Sequence, residues 1–193
     1  PRLLLLDEPF SNLDVELRER LGQEVRAILK ASGTTAILVT HDQREAFAMA
    51  DKIGVMSEGS LRQWATAYEL YHEPADRFVA NFIGEGVLLP AKLMGPQCIS
   101  FELGDICRTV PIDCCLGCDM EVLIRPDDIV HVDNSPLKAT IMAKSFRGAH
   151  FLYTLGLPSG NKVLSLVPSH HNHAIGEAIG ITLDFDHVIA FKS

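Results

Sequence analysis

The sequence predicts an α/β segment followed by a small all-β domain, a barrel or a sandwich. Three observations carry this. Up to about residue 84, short continuous apolar runs alternate with stretches whose apolar residues recur at helical spacing. Beyond Gly84-Glu85-Gly86 the pattern changes to short apolar runs at intervals of about ten residues, as strands of a small barrel or sandwich are spaced. Gly, Pro, Asn and Asp fill the intervals between those runs.

Taken in order, Leu3 to Leu6 is a continuous apolar run, expected as a strand buried on both faces of a parallel sheet, and it stops at Asp7-Glu8-Pro9. From Asp14 to Ala31, Leu17, Leu21, Val25, Ile28 and Leu29 recur at helical spacing between charged residues, and Gly33 follows as a stop. Thr35 to Thr40 reads as a second strand. A helix from Gln43 to Ala50 leads to a third strand, Lys52 to Met56, completing the strand-helix rhythm of a doubly wound sheet. Ser57-Glu58-Gly59-Ser60 is a turn from which Leu61 to Ala65 is expected to pair back as a hairpin. Short helices follow at Ala67 to Tyr71 and Asp76 to Phe82. The β runs are Val87 to Leu93, Ile99 to Leu103, Met120 to Ile124, Ala139 to Ala143, Phe151 to Leu157, Lys162 to Val167, Ile181 to Phe185 and Val188 to Phe191.

Bulk composition excludes some functions. The net charge of −8 arises from 9 basic and 14 acidic residues up to residue 86, and from 8 and 11 beyond it. Neither part carries the basic stripe that a phosphate backbone attracts, so no nucleic acid is expected as a partner. No apolar run approaches the roughly 20 residues that cross a bilayer, so any membrane association is expected to go through a protein partner. The five cysteines, Cys98, Cys107, Cys114, Cys115 and Cys118, are odd in number, which argues against a fully paired framework and suits a reducing cytosol. The chain opens at Pro1-Arg2, without an initiating Met, straight into an apolar strand, and reads as a fragment.

The chemistry concentrates where the first strand ends. A buried strand delivering two acids at its carboxyl end places them where ligands of open α/β sheets bind. In a nucleotide site Asp7 would hold Mg²⁺, a hard cation that prefers oxygen ligands, and Glu8 would orient or deprotonate the attacking water. A solvated acidic turn is the plainer alternative. Phe10-Ser11-Asn12-Leu13-Asp14 comes next, and His41 ends the following strand within Leu38-Val39-Thr40-His41-Asp42-Gln43-Arg44-Glu45-Ala46. An imidazole there can donate to a γ-phosphate oxygen. Asp14, just ahead of a helix, also suits an N-cap.

Together these residues resemble the ABC transporter ATPase family. Asp7 and Glu8 match its Walker B aspartate and catalytic glutamate, Ser11 to Asp14 resembles its D-loop, and His41 stands at its switch-histidine position. Ala50 to Met56 with Glu58-Gly59, and Tyr71 to Ala75 with Phe78 to Gly84, are similar to it as well. The resemblance covers residues 1–84 and implies a partial P-loop NTPase sheet, with ATP and Mg²⁺ as cofactors. It further implies Ser11 and Asp14 at a dimer interface, a second copy of the subunit, two membrane-spanning permease subunits and, indirectly, a periplasmic solute-binding protein. The implied location is peripheral, on the cytoplasmic face of the bacterial inner membrane.

Residues 85–193 resemble the transport-associated OB-like (TOBE) domain of importers for ferric iron, polyamines, sulfate or maltose. Leu123-Ile124-Arg125-Pro126-Asp127-Asp128-Ile129 is similar to its Arg-Pro-Glu/Asp signature, and the tail looks most like the ferric-iron branch. Arg125 and Asp127 could be a turn-stabilising pair or a site. Cys114-Cys115-x-x-Cys118 has a zinc-like spacing without a second matched pair, and His170, His171 and His173 are expected as exposed loop residues. No transition-metal site is therefore favoured. No Gly-x-x-x-x-Gly-Lys-Ser/Thr and no Leu-Ser-Gly-Gly-Gln-like stretch occurs in the sequence, so this segment alone is expected to be inactive. The competing expectation is a regulatory or dimerisation module whose barrel binds a small ligand or a partner.

Overall fold

The computed structural model describes residues 2–107, 116–184 and 188–193. Cys114 and Cys115 lie outside them. The chain divides into two compact units, one ending at Ala75 and the other beginning at Asp76.

In the first unit β1 (Leu3–Asp7) pairs in parallel with β2 (Thr35–Val39), with Leu3 opposite Thr35 and Asp7 opposite Val39. Between them runs α1 (Val15–Ser32). Its half-buried stripe of Leu17, Leu21, Val25 and Leu29 follows the i, i+4 spacing read from the sequence. Asp14 caps its start by accepting from Leu17 N at 2.9 Å. Gly33 closes its end at φ 61°, a left-handed conformation that glycine adopts without a Cβ penalty. α2 (Gln43–Met49) follows, and then β3 (Ile53–Ser57).

Two expectations differ here. β3 joins β4 (Ser60–Ala65) in a separate antiparallel hairpin, rather than extending the β1–β2 sheet. Its turn places Glu58 and Gly59 at φ 49° and 74°, the positive dihedrals that let a two-residue loop follow the twist of its strands. The β1–β2 strands are not buried on both faces. Leu3, Leu5, Ile37 and Val39 are exposed, while Leu4, Leu6, Ala36 and Leu38 are partly covered, because among the described residues of this unit no second layer lies over the outer face of the two-stranded sheet. α3 (Ala67–His72) ends the unit.

The second unit begins with α4 (Arg77–Phe82), ahead of the glycine-flanked boundary that the sequence suggested. Val79, Ala80 and Ile83 are buried, and Arg77 Nη2 reaches Glu121 Oε2 at 2.7 Å and the Lys192 carbonyl at 2.7 Å. The ten strands β5 (Val87–Gly95), β6 (Cys98–Phe101), β7 (Gly104–Cys107), β8 (Asp119–Ile124), β9 (Ile129–His131), β10 (Lys138–Phe146), β11 (His150–Gly156), β12 (Lys162–Pro168), β13 (Ala178–Leu183) and β14 (Ile189–Lys192) form two five-stranded antiparallel sheets. One sheet is ordered β14-β8-β5-β6-β7 and the other β12-β11-β10-β13-β9. The end strands of the second sheet return to one another, since Ser165 Oγ on β12 donates to the Ile129 carbonyl on β9 at 2.6 Å. The result is a nearly closed, OB-like barrel.

Alternation builds its core. Leu89, Ala91 and Leu93 on β5, Met120, Val122 and Ile124 on β8, and Val163 and Val167 on β12 point inward to one apolar cluster with Tyr153, Ile141 and Ile181. Cys98 and Cys107 occupy facing positions on β6 and β7 and form a disulfide, which departs from the expectation of reduced thiols at that pair.

Candidate functional site

The sequence-predicted residues of the first unit converge at the carboxyl ends of β1 and β2. Because the two strands are parallel and in register, Glu8, just past β1, and His41, just past β2, emerge side by side. Nδ1 of His41 lies 2.8 Å from Glu8 Oε2. Glu8 sits at φ 46°, a left-handed backbone conformation uncommon for a residue with a side chain, and its amide donates to the Val39 carbonyl at 2.8 Å. The hydrogen bond and charge of Glu8 raise the His41 pKa above 6.5. Asp7, the last residue of β1, is exposed beside this pair.

The Ser11–Asp14 segment is tied to the same end of the sheet. Arg18 on α1 donates to the Leu13 carbonyl at 2.9 Å and to Asp42 Oδ2 at 2.5 Å, so it links this segment to the turn after His41. Burial pushes the Asp42 carboxyl up, but hydrogen bonds from the Arg44 amide and the Arg18 guanidinium bring it below its ordinary value. Thr40 Oγ1 donates to buried Glu45 at 2.6 Å, fixing the start of α2. A cleft between α1 and α2 is lined by Val15, Arg18, Gly22, Asp42, Glu45 and Met49 among others, but by none of Asp7, Glu8 and His41.

In the β domain the structure resolves the role of Arg125. The side chain is buried and donates to the carbonyls of Ala80 at 3.0 Å and Glu85 at 3.2 Å, while its amide donates to Asp128 Oδ2 at 2.6 Å. These are structural bonds of a turn and a helix end. A second cluster was only partly legible. His171 and His173 meet His131 of β9, whereas His170 stays exposed. The sequence carries no signal for His131, which lies on a strand remote from His171 and His173. Burial, with His173 beside it, holds the His131 imidazole below its usual value, against the opposing pull of Asp133.

Residues 122–191 match the TOBE domain family. Over 190 residues the chain is 37% identical to the Fe(3+) ions import ATP-binding protein FbpC of Streptomyces coelicolor, covering 98% of this chain and 53% of that protein. The chain thus spans about half the length of the curated relative it matches. Among solved structures, the cytoplasmic molybdate-binding protein ModG with molybdate bound covers 55% of this chain and 96% of its own, at 12% identity and a TM-score of 0.47. The chain is similar to the C-terminal part of an ABC transporter ATP-binding subunit that carries a TOBE domain. Among the described residues no helix is long and apolar enough to cross a membrane.

Proposed function

We propose that this chain is the later part of the ATP-hydrolysing subunit of a bacterial ABC importer, with residues 1–84 contributing to the ATPase domain and 85–193 forming a regulatory TOBE domain. The observation that carries the reading is the Glu8–His41 contact of 2.8 Å at the ends of two adjacent parallel strands. In this reading Glu8 orients the attacking water and takes its proton, and His41 donates to a terminal phosphate oxygen. Ser11 and Asp14 face a second copy of the subunit.

The donor set fits Mg²⁺, because Asp7 and Glu8 offer hard oxygen ligands at an exposed strand end. Asp7 would hold the ion, which supplies neutralising charge on the phosphates. The same residues do not provide a grip on a triphosphate, since the sequence contains no Gly-x-x-x-x-Gly-Lys-Ser/Thr. By itself the chain is therefore expected to be inert. Two permease subunits and, indirectly, a periplasmic solute-binding protein complete the assembly on the cytoplasmic face of the inner membrane. Ferric iron is the proposed cargo, supported by the name of the relative, ahead of polyamine, sulfate or sugar.

The test is Mg-ATP turnover by the full-length parent, by its Glu8→Gln variant and by this chain. The expected result is turnover by the parent, loss of at least about a hundredfold in Glu8→Gln, and none from this chain. An unchanged rate in Glu8→Gln would remove Glu8 from the site and with it this reading.

A further inference from the structure

The nine residues between β12 and β13, 169–177, carry His171 and His173 up to His131, the last residue of β9. One ring nitrogen from each of the three histidines lies within 4.8 Å of the other two, and all three side chains are half-buried. We propose that His131, His171 and His173 form a binding site for a divalent transition-metal ion in the β domain. The site is independent of the nucleotide reading above.

Three features separate this cluster from exposed loop histidines. The first is an unsatisfied atom. Nε2 of His173 is buried and has no hydrogen-bond partner among the described residues, an unfavourable state for a buried polar atom unless something occupies it. The second is orientation. Nδ1 of His173 is held by Glu177 Oε1 at 2.8 Å, which leaves the unpartnered Nε2 as the ligating atom, and Asp133 Oδ1 lies 3.1 Å from His131 Nε2. A carboxylate on the far nitrogen of a ligating histidine is how metal sites fix the ring and raise its basicity.

The third feature is a backbone already ordered around the site. Tyr153, fully buried, donates its hydroxyl to the His171 carbonyl at 2.7 Å and accepts from the His173 amide at 3.0 Å. Lys144 Nζ donates to the His173 carbonyl and to Asn172 Oδ1, both at 2.8 Å, and the Ala174 amide donates to Glu177 Oε2 at 2.8 Å. On the other side, Gly180 of β13 lets Val132, the residue after β9, approach so closely that an added Cβ would lie 2.0 Å from its carbonyl. Any side chain there would push away the strand end that carries His131.

The donor set selects the ion. Three neutral imidazoles suit zinc, copper, nickel or iron rather than magnesium or calcium. Tetrahedral zinc with bonds of about 2.1 Å needs its ligand atoms about 3.4 Å apart, so the rings must close by no more than about 1.4 Å. Three protein ligands leave the fourth position to water or to a donor brought by a ligand.

The experiment uses the whole chain without a histidine tag, stripped with a chelator. Zn²⁺ binding is followed by calorimetry and Co²⁺ binding by visible absorption. The expected result is one equivalent bound, with the intense d–d bands of tetrahedral Co²⁺ and no thiolate charge-transfer band in the near ultraviolet. His170→Ala should bind as the unsubstituted chain does, and His171→Ala at least about tenfold more weakly with an unchanged circular dichroism spectrum. Absence of a bound equivalent, a thiolate band, or full affinity in His171→Ala overturns the proposal. Should His171→Ala not fold, Glu177→Gln carries the test: it spares all three ligands, is expected to weaken binding by about 10-fold to 100-fold, and overturns the proposal if affinity is unchanged.

Discussion

Glu8 shows how much a single position can be asked to do. Its left-handed backbone costs on the order of 1 kcal/mol, and strain of this kind collects where a side chain must be aimed rather than merely accommodated. Here it turns the carboxylate toward His41. The consequence is measurable without nucleotide. Because Glu8 raises the His41 pKa, the folded state binds that proton more tightly than the unfolded state does. The stabilising contribution is present below about 6.5 and is lost as pH rises through the higher folded value. His41 is exposed, so solvent screens the effect and its clearest readout is the titration itself. In Glu8→Gln the His41 pKa, followed by NMR, is expected to fall toward 6.5; no change would place the two side chains apart in solution. The placement of Glu8 and His41 at the ends of successive strands is legible from the sequence; their contact follows from the parallel, in-register pairing of those strands. The meeting of His131 with His171 and His173 is not legible there, because it depends on which strand lies beside which.

At the scale of elements, capping decides helix limits as clearly as periodicity does. α3 starts with a reciprocal capping box: Glu69 Oε2 accepts from the Thr66 amide at 2.7 Å, and Thr66 Oγ1 accepts from the Glu69 amide at 3.2 Å. Lys52 adds an ion pair at 3.1 Å. The Thr66 backbone bond, then its hydroxyl and Lys52, lower the Glu69 pKa from 4.5 to about 2. A depressed carboxylate contributes stability above its unfolded value and loses it as pH falls through its folded value. Glu69→Gln is therefore expected to lower the unfolding midpoint at pH 7, with the gap to the unsubstituted chain narrowing as pH drops from 4.5 toward 2. A gap independent of pH would mean that the charge is not involved. α1 to α4 and eight of the β-domain strands follow runs visible in the sequence. β7 and β9, with four and three residues, were not among the runs read from the sequence.

For the whole molecule, Arg125 matters more than its surface-like chemistry suggests. Buried beneath α4, it binds the carbonyls of Ala80 and Glu85 and so fastens the helix end and the following segment to β8. Arg125→Ala leaves two carbonyls without this donor and should destabilise the β domain by about 2–4 kcal/mol in chemical denaturation. A loss below about 0.5 kcal/mol would show that solvent reaches those carbonyls. The glycines at 84 and 86 marked the change in pattern from helix to strand, yet the compact unit begins at Asp76, since Arg77, Val79 and Ala80 pack with the barrel. Sequence patterning located the change of secondary structure; burial located the limit of the folded unit.

By itself the sequence determined the α/β-then-β order, the strand alternation that fills the barrel core, and the row of acidic and histidine residues from Asp7 to His41. These are local properties: hydrophobic period, turn chemistry and motif spacing act between residues close in the chain. Only the tertiary structure decided that the β3–β4 hairpin stands apart from the β1–β2 sheet, that Arg125 is structural, and that three histidines from two segments come together. The physical reason is that strand neighbours and burial are set by how distant segments share one core. Side chains far apart in the chain acquire their partners only when that core is assembled.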